Sequence, residues 1–165
     1  MRKYVQALLK RNFKLPLRTR LGFTLIEILV VIGIIAVLAA IVIIAINPAR
    51  QFAQARNSQR QANIDTILNA VGQNIADNKG LINCPGLTMA TTTVYHIGTG
   101  SGNANFSTCL VPTYIPSQVP TDPNGGTAID TQYTIVADTV GRYTVCAPLS
   151  SEPALGSPTP VCVTR

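Results

Sequence analysis

The longest apolar stretch in the chain covers residues 28–46, which carry no charge and no strong hydrogen-bonding side chain. At a rise of about 1.5 Å per residue, a helix of this length is roughly 28 Å long, and the hydrocarbon core of a bilayer is about 30 Å thick. We therefore predict a membrane-spanning helix over residues 25–46. Glu27 is an acid at the edge of this apolar segment, and a charge there needs a partner.

A second helical pattern follows a break at Asn47-Pro48. Proline lacks a backbone donor and disfavours helical geometry in the residue before it, so we expect a kink or a locally melted segment near residues 44–48. Apolar residues then recur with helical spacing, which predicts an amphipathic helix over residues 49–79 that stops at Gly80. The apolar positions are Ile64, Ile67, Leu68, Val71 and Ile75. The positions predicted to supply polar cover are Arg50, Gln54, Arg56, Gln59, Arg60, Gln61, Asn63 and Asn69.

Residues 81–165 change to a period of two, which is typical of strands with one buried face. Strands are predicted at residues 133–138, 142–146, 92–97 and 161–164, the last two on weaker patterns. A turn at residues 139–141 joins the two stronger strands as a hairpin, and residues 122–126 predict another turn. The fold class is therefore α+β: a long N-terminal helix whose amphipathic half packs against a small antiparallel sheet of three or four strands.

Positive charge is concentrated in residues 1–22, which hold seven of the 13 Lys and Arg residues and no acid. These residues are Arg2, Lys3, Lys10, Arg11, Lys14, Arg18 and Arg20. A cluster of positive charge on one side of a membrane helix places that side in the cytoplasm, and the rest of the chain on the other side. Without this leader, six basic residues remain against seven acids, so that net charge gives no indication of direct nucleic acid binding.

The hexad Gly22-Phe23-Thr24-Leu25-Ile26-Glu27, between a basic leader and an apolar helix, resembles the processing site of type IV prepilins. That family comprises major pilins, minor pilins and pseudopilins. The resemblance implies that a prepilin peptidase cuts after Gly22, removes residues 1–22 and methylates the new amine of Phe23. It also assigns Phe23, Thr24 and Glu27 to filament assembly. An uncleaved signal anchor is the alternative. The resemblance covers residues 1 to about 80; the remaining residues resemble the family only in general character.

All four cysteines follow the membrane helix, on the side predicted to be oxidising, where disulfides form. They are Cys84, Cys109, Cys146 and Cys162. Four cysteines allow three pairings, and we favour Cys84–Cys109 and Cys146–Cys162 because these close the shortest loops. A zinc site is the competing interpretation, but the sequence has no C-x-x-C pair and a single histidine.

The region after residue 80 offers little further chemistry. His96 is the sole histidine, and a catalytic nucleophile needs both a base and an orienting acid, so we assign no catalytic residue. Asp122, Asn124 and Asp130 offer oxygens of the kind that bind calcium, and some pseudopilins hold calcium in a comparable loop, but turn-forming Asp and Asn need no metal. Asn105-Phe106-Ser107 matches the glycosylation triplet. No metal or cofactor is assigned.

The resemblance implies a structural subunit of a type IV pilus, a homopolymeric helical filament. The three predicted parts are the leader (1–22), the N-terminal helix (23–80) and a β-rich head with a cysteine-stapled tail (81–165). Membrane lipid would hold the subunit until an assembly ATPase and a platform protein drive it into an extracellular filament; the chain itself has no glycine-rich phosphate loop. One alternative is a pseudopilin or minor pilin of a type II secretion or DNA-uptake (competence) system. Another, disfavoured by the missing catalytic residues, is a membrane-anchored extracellular enzyme.

Overall fold

The computed structural model describes residues 22–156 and 159–165. Residues 1–21 of the predicted leader lie outside the described residues, as do residues 157 and 158, which belong to the tail between Cys146 and Cys162. The contacts of the chain divide it into two units, which part between Ala45 and Ile46.

The described part of the first unit is dominated by helix α1, Leu25–Ala45, a 21-residue helix of high mean hydropathy. None of its residues is buried by the protein. Among the described residues it is the one helix long and apolar enough to cross a membrane. A helix that is apolar all round needs apolar surroundings on every side, and the chain itself does not supply them.

Helix α2, Pro48–Asp77, begins the second unit after a two-residue interruption at Ile46 and Asn47. The interruption lies where the break was predicted. Asn47 caps α2 by accepting a hydrogen bond from the backbone N–H of Arg50 (3.2 Å), and Pro48 occupies the first turn, where its missing donor costs nothing. The helix ends two residues before the predicted position, and Gly80, at φ +88°, donates its N–H to the carbonyl of Ile75 (2.9 Å).

Four antiparallel strands form one sheet in the order β1-β2-β3-β4. The strands are Tyr95–His96, Thr134–Ala137, Tyr143–Ala147 and Val161–Thr164. A one-turn helix α3, Ser107–Leu110, and two 3-10 turns, Pro148–Ser150 and Pro153–Leu155, lie between them. The α+β prediction is confirmed. The weakest predicted strand, residues 92–97, is reduced to the two residues of β1.

The apolar stripe of α2 forms one side of the core. Ile64, Ile67, Leu68 and Val71 are buried there, and Ile75 is half-buried at its edge. The side chains that cover them from the sheet, the loops and α3 include Ile97, Phe106, Leu110, Tyr133, Ile135 and Val145. In β2, buried Ile135 and Ala137 alternate with half-buried Thr134 and Val136, as the period of two predicted.

One predicted position is wrong. Arg60 was assigned to the polar cover of α2, but its side chain is fully buried. Arg60 lies four residues before Ile64 and therefore continues the buried stripe by one turn. It tolerates this position because two carboxylates from distant parts of the chain bind its guanidinium.

Candidate functional site at the start of α1 and the contacts of the head

Thr24 and Glu27 form a capping box at the start of α1. The backbone N–H and the hydroxyl of Thr24 both donate to Oε2 of Glu27, at 2.7 and 2.8 Å, and the N–H of Glu27 donates to the Thr24 hydroxyl at 3.3 Å. Such a reciprocal pair satisfies two backbone donors that a helix N-terminus otherwise leaves unbonded. The carboxylate of Glu27 thus has its partner within its own first turn.

Gly22 and Phe23, the two residues at the predicted cut, are exposed and precede this cap outside any helix or strand. The ring of Phe23 is 83% exposed. A β-carbon added at Gly22 would meet no atom within 4 Å. A larger residue at Gly22 therefore leaves the rest of the described structure undisturbed, and any effect of such a substitution reports on something that binds this segment.

Two disulfides link the head, in the pairing favoured from the shortest loops. Cys84 is bonded to Cys109, here called the loop disulfide, and Cys146 to Cys162, the tail disulfide. The sheet explains the second pair, because the register of β3 and β4 sets Cys146 directly opposite Cys162, with their Cα atoms 4.1 Å apart. The tail disulfide therefore fastens the two strands on either side of the tail.

A cluster of buried ion pairs connects α2 to two distant segments of the head. Arg60 binds Asp122 through Nε to Oδ2 (2.7 Å) and Nη2 to Oδ1 (3.1 Å), and both side chains are 0% exposed. Its Nη1 also donates to Oε1 of Glu152 (2.5 Å), and Arg56 binds the same carboxylate. Asn57 adds a bond from its side-chain amide to the carbonyl of Ser150 (3.0 Å). We call these residues the arginine cluster.

The charges of the arginine cluster stabilise one another. The hydrogen bond from Arg56, joined by one from Arg60, lowers the pKa of Glu152 to about 2. Burial alone would lower the pKa of Arg60, but its bonds to Asp122 and Glu152 outweigh burial and raise it. These bonds therefore favour the charged forms of Glu152 and Arg60, and the cluster holds the turn at residues 122–126 and the segment around Glu152 against α2.

The possible metal and catalytic residues of the head do not come together into a site. Asp122 is bound by Arg60 and by the N–H of Asn124 (2.8 Å), whereas Asp130 accepts from the N–H of Gln132 (2.9 Å) and lies 3.3 Å from Nδ1 of His96. Within residues 22–156 and 159–165, no three His, Cys, Asp or Glu side chains are grouped as metal ligands would be. The carboxylates of Asp122 and Asp130 are thus bound by donors of the protein.

The Asn of the glycosylation triplet also has internal partners. Oδ1 of Asn105 accepts from the hydroxyl (2.5 Å) and the N–H (3.1 Å) of Ser107, and Asn105 is half-buried before α3. These bonds account for the Asn and Ser as a local turn at the start of the helix.

Sequence reasoning missed the arginine cluster, although one signal was present. Arg56 and Arg60 stand at i and i+4 directly before the apolar stripe, so that Arg60 occupies the next stripe position. A charged residue in line with a buried stripe predicts a buried counter-charge, but the pattern does not say which carboxylate supplies it.

Comparison with known proteins identifies the start of the chain. A family model described as the prokaryotic N-terminal methylation motif matches residues 17–46. This motif is the class III signal of type IV pilins, and the match includes the capping box and all of α1. Neither the curated proteins nor the solved structures gave a match to the chain.

Proposed function

We infer that this chain, which carries the class III signal of type IV pilins and a pilin-like α+β fold, is a structural subunit of a type IV pilus filament. The observation that carries the proposal is the continuity of the matched motif with α1, an apolar helix that nothing in the protein covers. Such a helix is stable in lipid and equally stable among identical helices, because both surroundings are apolar. The subunit would therefore wait in the membrane and polymerise through α1.

The first step is cleavage between Gly22 and Phe23 by a prepilin peptidase, followed by methylation of the Phe23 amine. Both residues lie in exposed chain immediately before the capping box, where a peptidase reaches an extended backbone without unfolding α1. Cleavage converts the peptide nitrogen of Phe23 into a basic amine four residues before Glu27. A new positive charge then stands close to a carboxylate at the same end of the helix.

Glu27 has two possible partners after cleavage. Thr24 of the same chain already donates two hydrogen bonds to one of its oxygens, Oε2. In a bundle of α1 helices, the Phe23 amine of a neighbouring subunit is a charged donor, and charge-assisted hydrogen bonds are roughly twice as strong as neutral ones. We propose that the carboxylate meets this amine during assembly, because a charge in apolar surroundings is stabilised most by an opposite charge.

A pseudopilin or minor pilin of a secretion or DNA-uptake system is the alternative within the same class. Such a protein uses the same motif and the same helix, so it differs in the assembly that it joins rather than in the chemistry of α1. The tail fastened by the Cys146–Cys162 disulfide favours the main filament subunit.

Electron micrographs of cells that lack or overproduce the protein test the proposal. We expect cells that lack the protein to lose their surface filaments, and cells that overproduce it to carry more or longer filaments. Filaments of normal number in cells lacking the protein would exclude the main-subunit role, and unchanged filaments with a secretion or uptake defect would favour the alternative.

Glu27→Val and Thr24→Ala then separate the two partners of the carboxylate. Thr24→Ala removes the hydroxyl donor but leaves the charge and the backbone N–H donor, so it should impair assembly less than Glu27→Val does. Glu27→Val should give a cleaved, membrane-resident subunit that enters filaments poorly, with partial rescue by coexpressed wild-type subunits. Equal and severe defects in both variants would mean that the cap, and not the charge, is what assembly needs.

A further inference from the structure

The second unit of the chain begins with an exposed segment. Every residue from Ile46 to Phe52 is exposed, and the first buried residue of α2 is Ala53. This segment includes the first turn of α2 and holds one aromatic ring, Phe52, that is 66% exposed. A ring exposed to this extent lacks apolar surroundings from its own chain.

Arg50, in the first turn of α2, differs from the other arginines that the structure describes. Arg56, Arg60, Arg142 and Arg165 each bind a carboxylate, whereas Arg50 has no ion-pair partner within the described parts of the chain. It also stands in the first turn of a helix, where the helix dipole disfavours a cation. An anion from outside the protein would satisfy both conditions.

The position of the segment indicates where that anion lies. Only Ile46 and Asn47 separate α1 from α2 in the sequence. The headgroup layer on each side of a bilayer is about 5 to 7 Å thick, and one helical turn rises about 5.4 Å. When α1 spans the bilayer, the chain emerges through the headgroups with this turn. Aromatic rings concentrate at that level, and long basic side chains reach phosphates from it.

We propose that residues 46–52 form an interfacial collar that binds anionic phospholipid headgroups while the subunit is stored in the membrane. The guanidinium of Arg50 binds lipid phosphate, and the ring of Phe52 lies among the headgroups. The proposal rests on the membrane storage inferred above. It adds a second membrane contact that must be broken when the subunit leaves the bilayer.

The absence of tryptophan from the chain makes the test direct. The full-length Phe52→Trp variant is reconstituted into vesicles of phosphatidylglycerol and phosphatidylcholine that contain a quencher attached near the headgroup. Fluorescence should fall by at least half. The matched control is Val140→Trp, at a site that is 73% exposed in the β2–β3 turn, which should lose much less. Ile35→Trp, within α1, reports membrane insertion separately through a quencher placed deep in the acyl chains.

The contribution of the Arg50 charge to headgroup binding is tested by adding Arg50→Gln to the Phe52→Trp variant. Headgroup quenching should decrease in the anionic vesicles and should not depend on Arg50 in vesicles of phosphatidylcholine alone. Lys79→Gln, which removes another exposed cation without a carboxylate partner in the described structure, should have no effect.

Three outcomes would overturn the collar. Quenching of Phe52→Trp no greater than that of Val140→Trp, with Ile35→Trp fully quenched, refutes it while leaving membrane storage intact. Protection of the Phe52→Trp fluorophore only in assembled filaments would assign the segment to a second subunit instead of lipid. Failure of Ile35→Trp to be quenched would refute membrane storage, and the collar with it.

Discussion

Replacing Arg60 by methionine should destabilise the head more than any other single loss of charge. The substitution keeps an unbranched side chain of similar length in a fully buried position of α2, so packing is largely preserved. It removes the guanidinium that binds Asp122, Asn57 and Glu152. The carboxylate of Asp122, which is 0% exposed, then has no counter-charge.

The loss of stability in Arg60→Met can be sized from the carboxylate of Asp122, which stays buried without a counter-charge. Removing one partner of a buried ion pair costs about 3–5 kcal/mol, because the remaining charge stays in the interior without compensation. Folded domains are stable by about 5–15 kcal/mol in total. Arg60→Met should therefore remove a large fraction of the stability of the head.

Arg56→Met is the matched control, one turn earlier on the same helix. Arg56 is 36% exposed and binds only Glu152 among the carboxylates, which keeps its bond to Arg60. Partly exposed ion pairs contribute about 0–1 kcal/mol, so this variant should lose about 1 kcal/mol or less.

Guanidinium unfolding of the full chain in detergent micelles measures the difference. The near-UV circular dichroism of the tyrosines follows the head, because Tyr133 is buried beside the cluster and its hydroxyl is bonded to Asn63 (2.9 Å). Adding Asp122→Asn to Arg60→Met removes the stranded charge while keeping an acceptor for the N–H of Asn124. The double variant should recover about 1–2 kcal/mol. A loss no larger than that of Arg56→Met, or a double variant less stable than the single one, would refute the reasoning.

Three further predictions concern the stability of the head. Because the pKa of Glu152 is about 2 in the folded chain against 4.5 in the unfolded chain, its contribution to stability is complete above pH 4.5 and lost as the pH falls towards 2; in Glu152→Gln, the acid dependence of unfolding should be shallower over that range. Gly126→Ala places a β-carbon 2.4 Å from the backbone nitrogen of Asp122 and should cost about 1–3 kcal/mol by the same assay, whereas Gly72→Ala, on the open side of α2, should stabilise the helix by up to about 1 kcal/mol. Opening the tail disulfide should cost about 3 kcal/mol and expose the tail to protease while α2 stays helical, and native protein with four alkylatable thiols would contradict both bonds.

The elements that the sequence predicted well are those set by local periodicity. The 19 apolar residues of 28–46 exceed what a soluble helix requires, and the stripe through Ile64 and Val71 has the spacing of one helix face. The β2–β3 hairpin likewise follows from alternation around a glycine turn, in which Gly141 adopts φ +85°. The strand predicted at residues 92–97 is longer than β1 because Thr92 adopts φ +66°, which is outside the geometry of a strand.

The parts that the sequence did not predict depend on distant partners. Arg60 is separated from Asp122 by 62 positions and from Glu152 by 92, so that no local pattern identifies the pairs. The capping box is the opposite case. Thr24 and Glu27 stand at the spacing of this motif, so the bond between them is readable from four residues.

The central claim is that the chain is cut at Gly22 and assembled as a processed subunit. Intact-mass and peptide mass spectrometry of the protein isolated from filaments tests it most directly, with Gly22→Val, which disturbs no described contact, as the variant that should remain uncut in the membrane. The account predicts a mature chain that begins at Phe23 and is heavier by one methyl group. A chain in filaments that still begins at Met1, or filaments built normally from Gly22→Val, would contradict it.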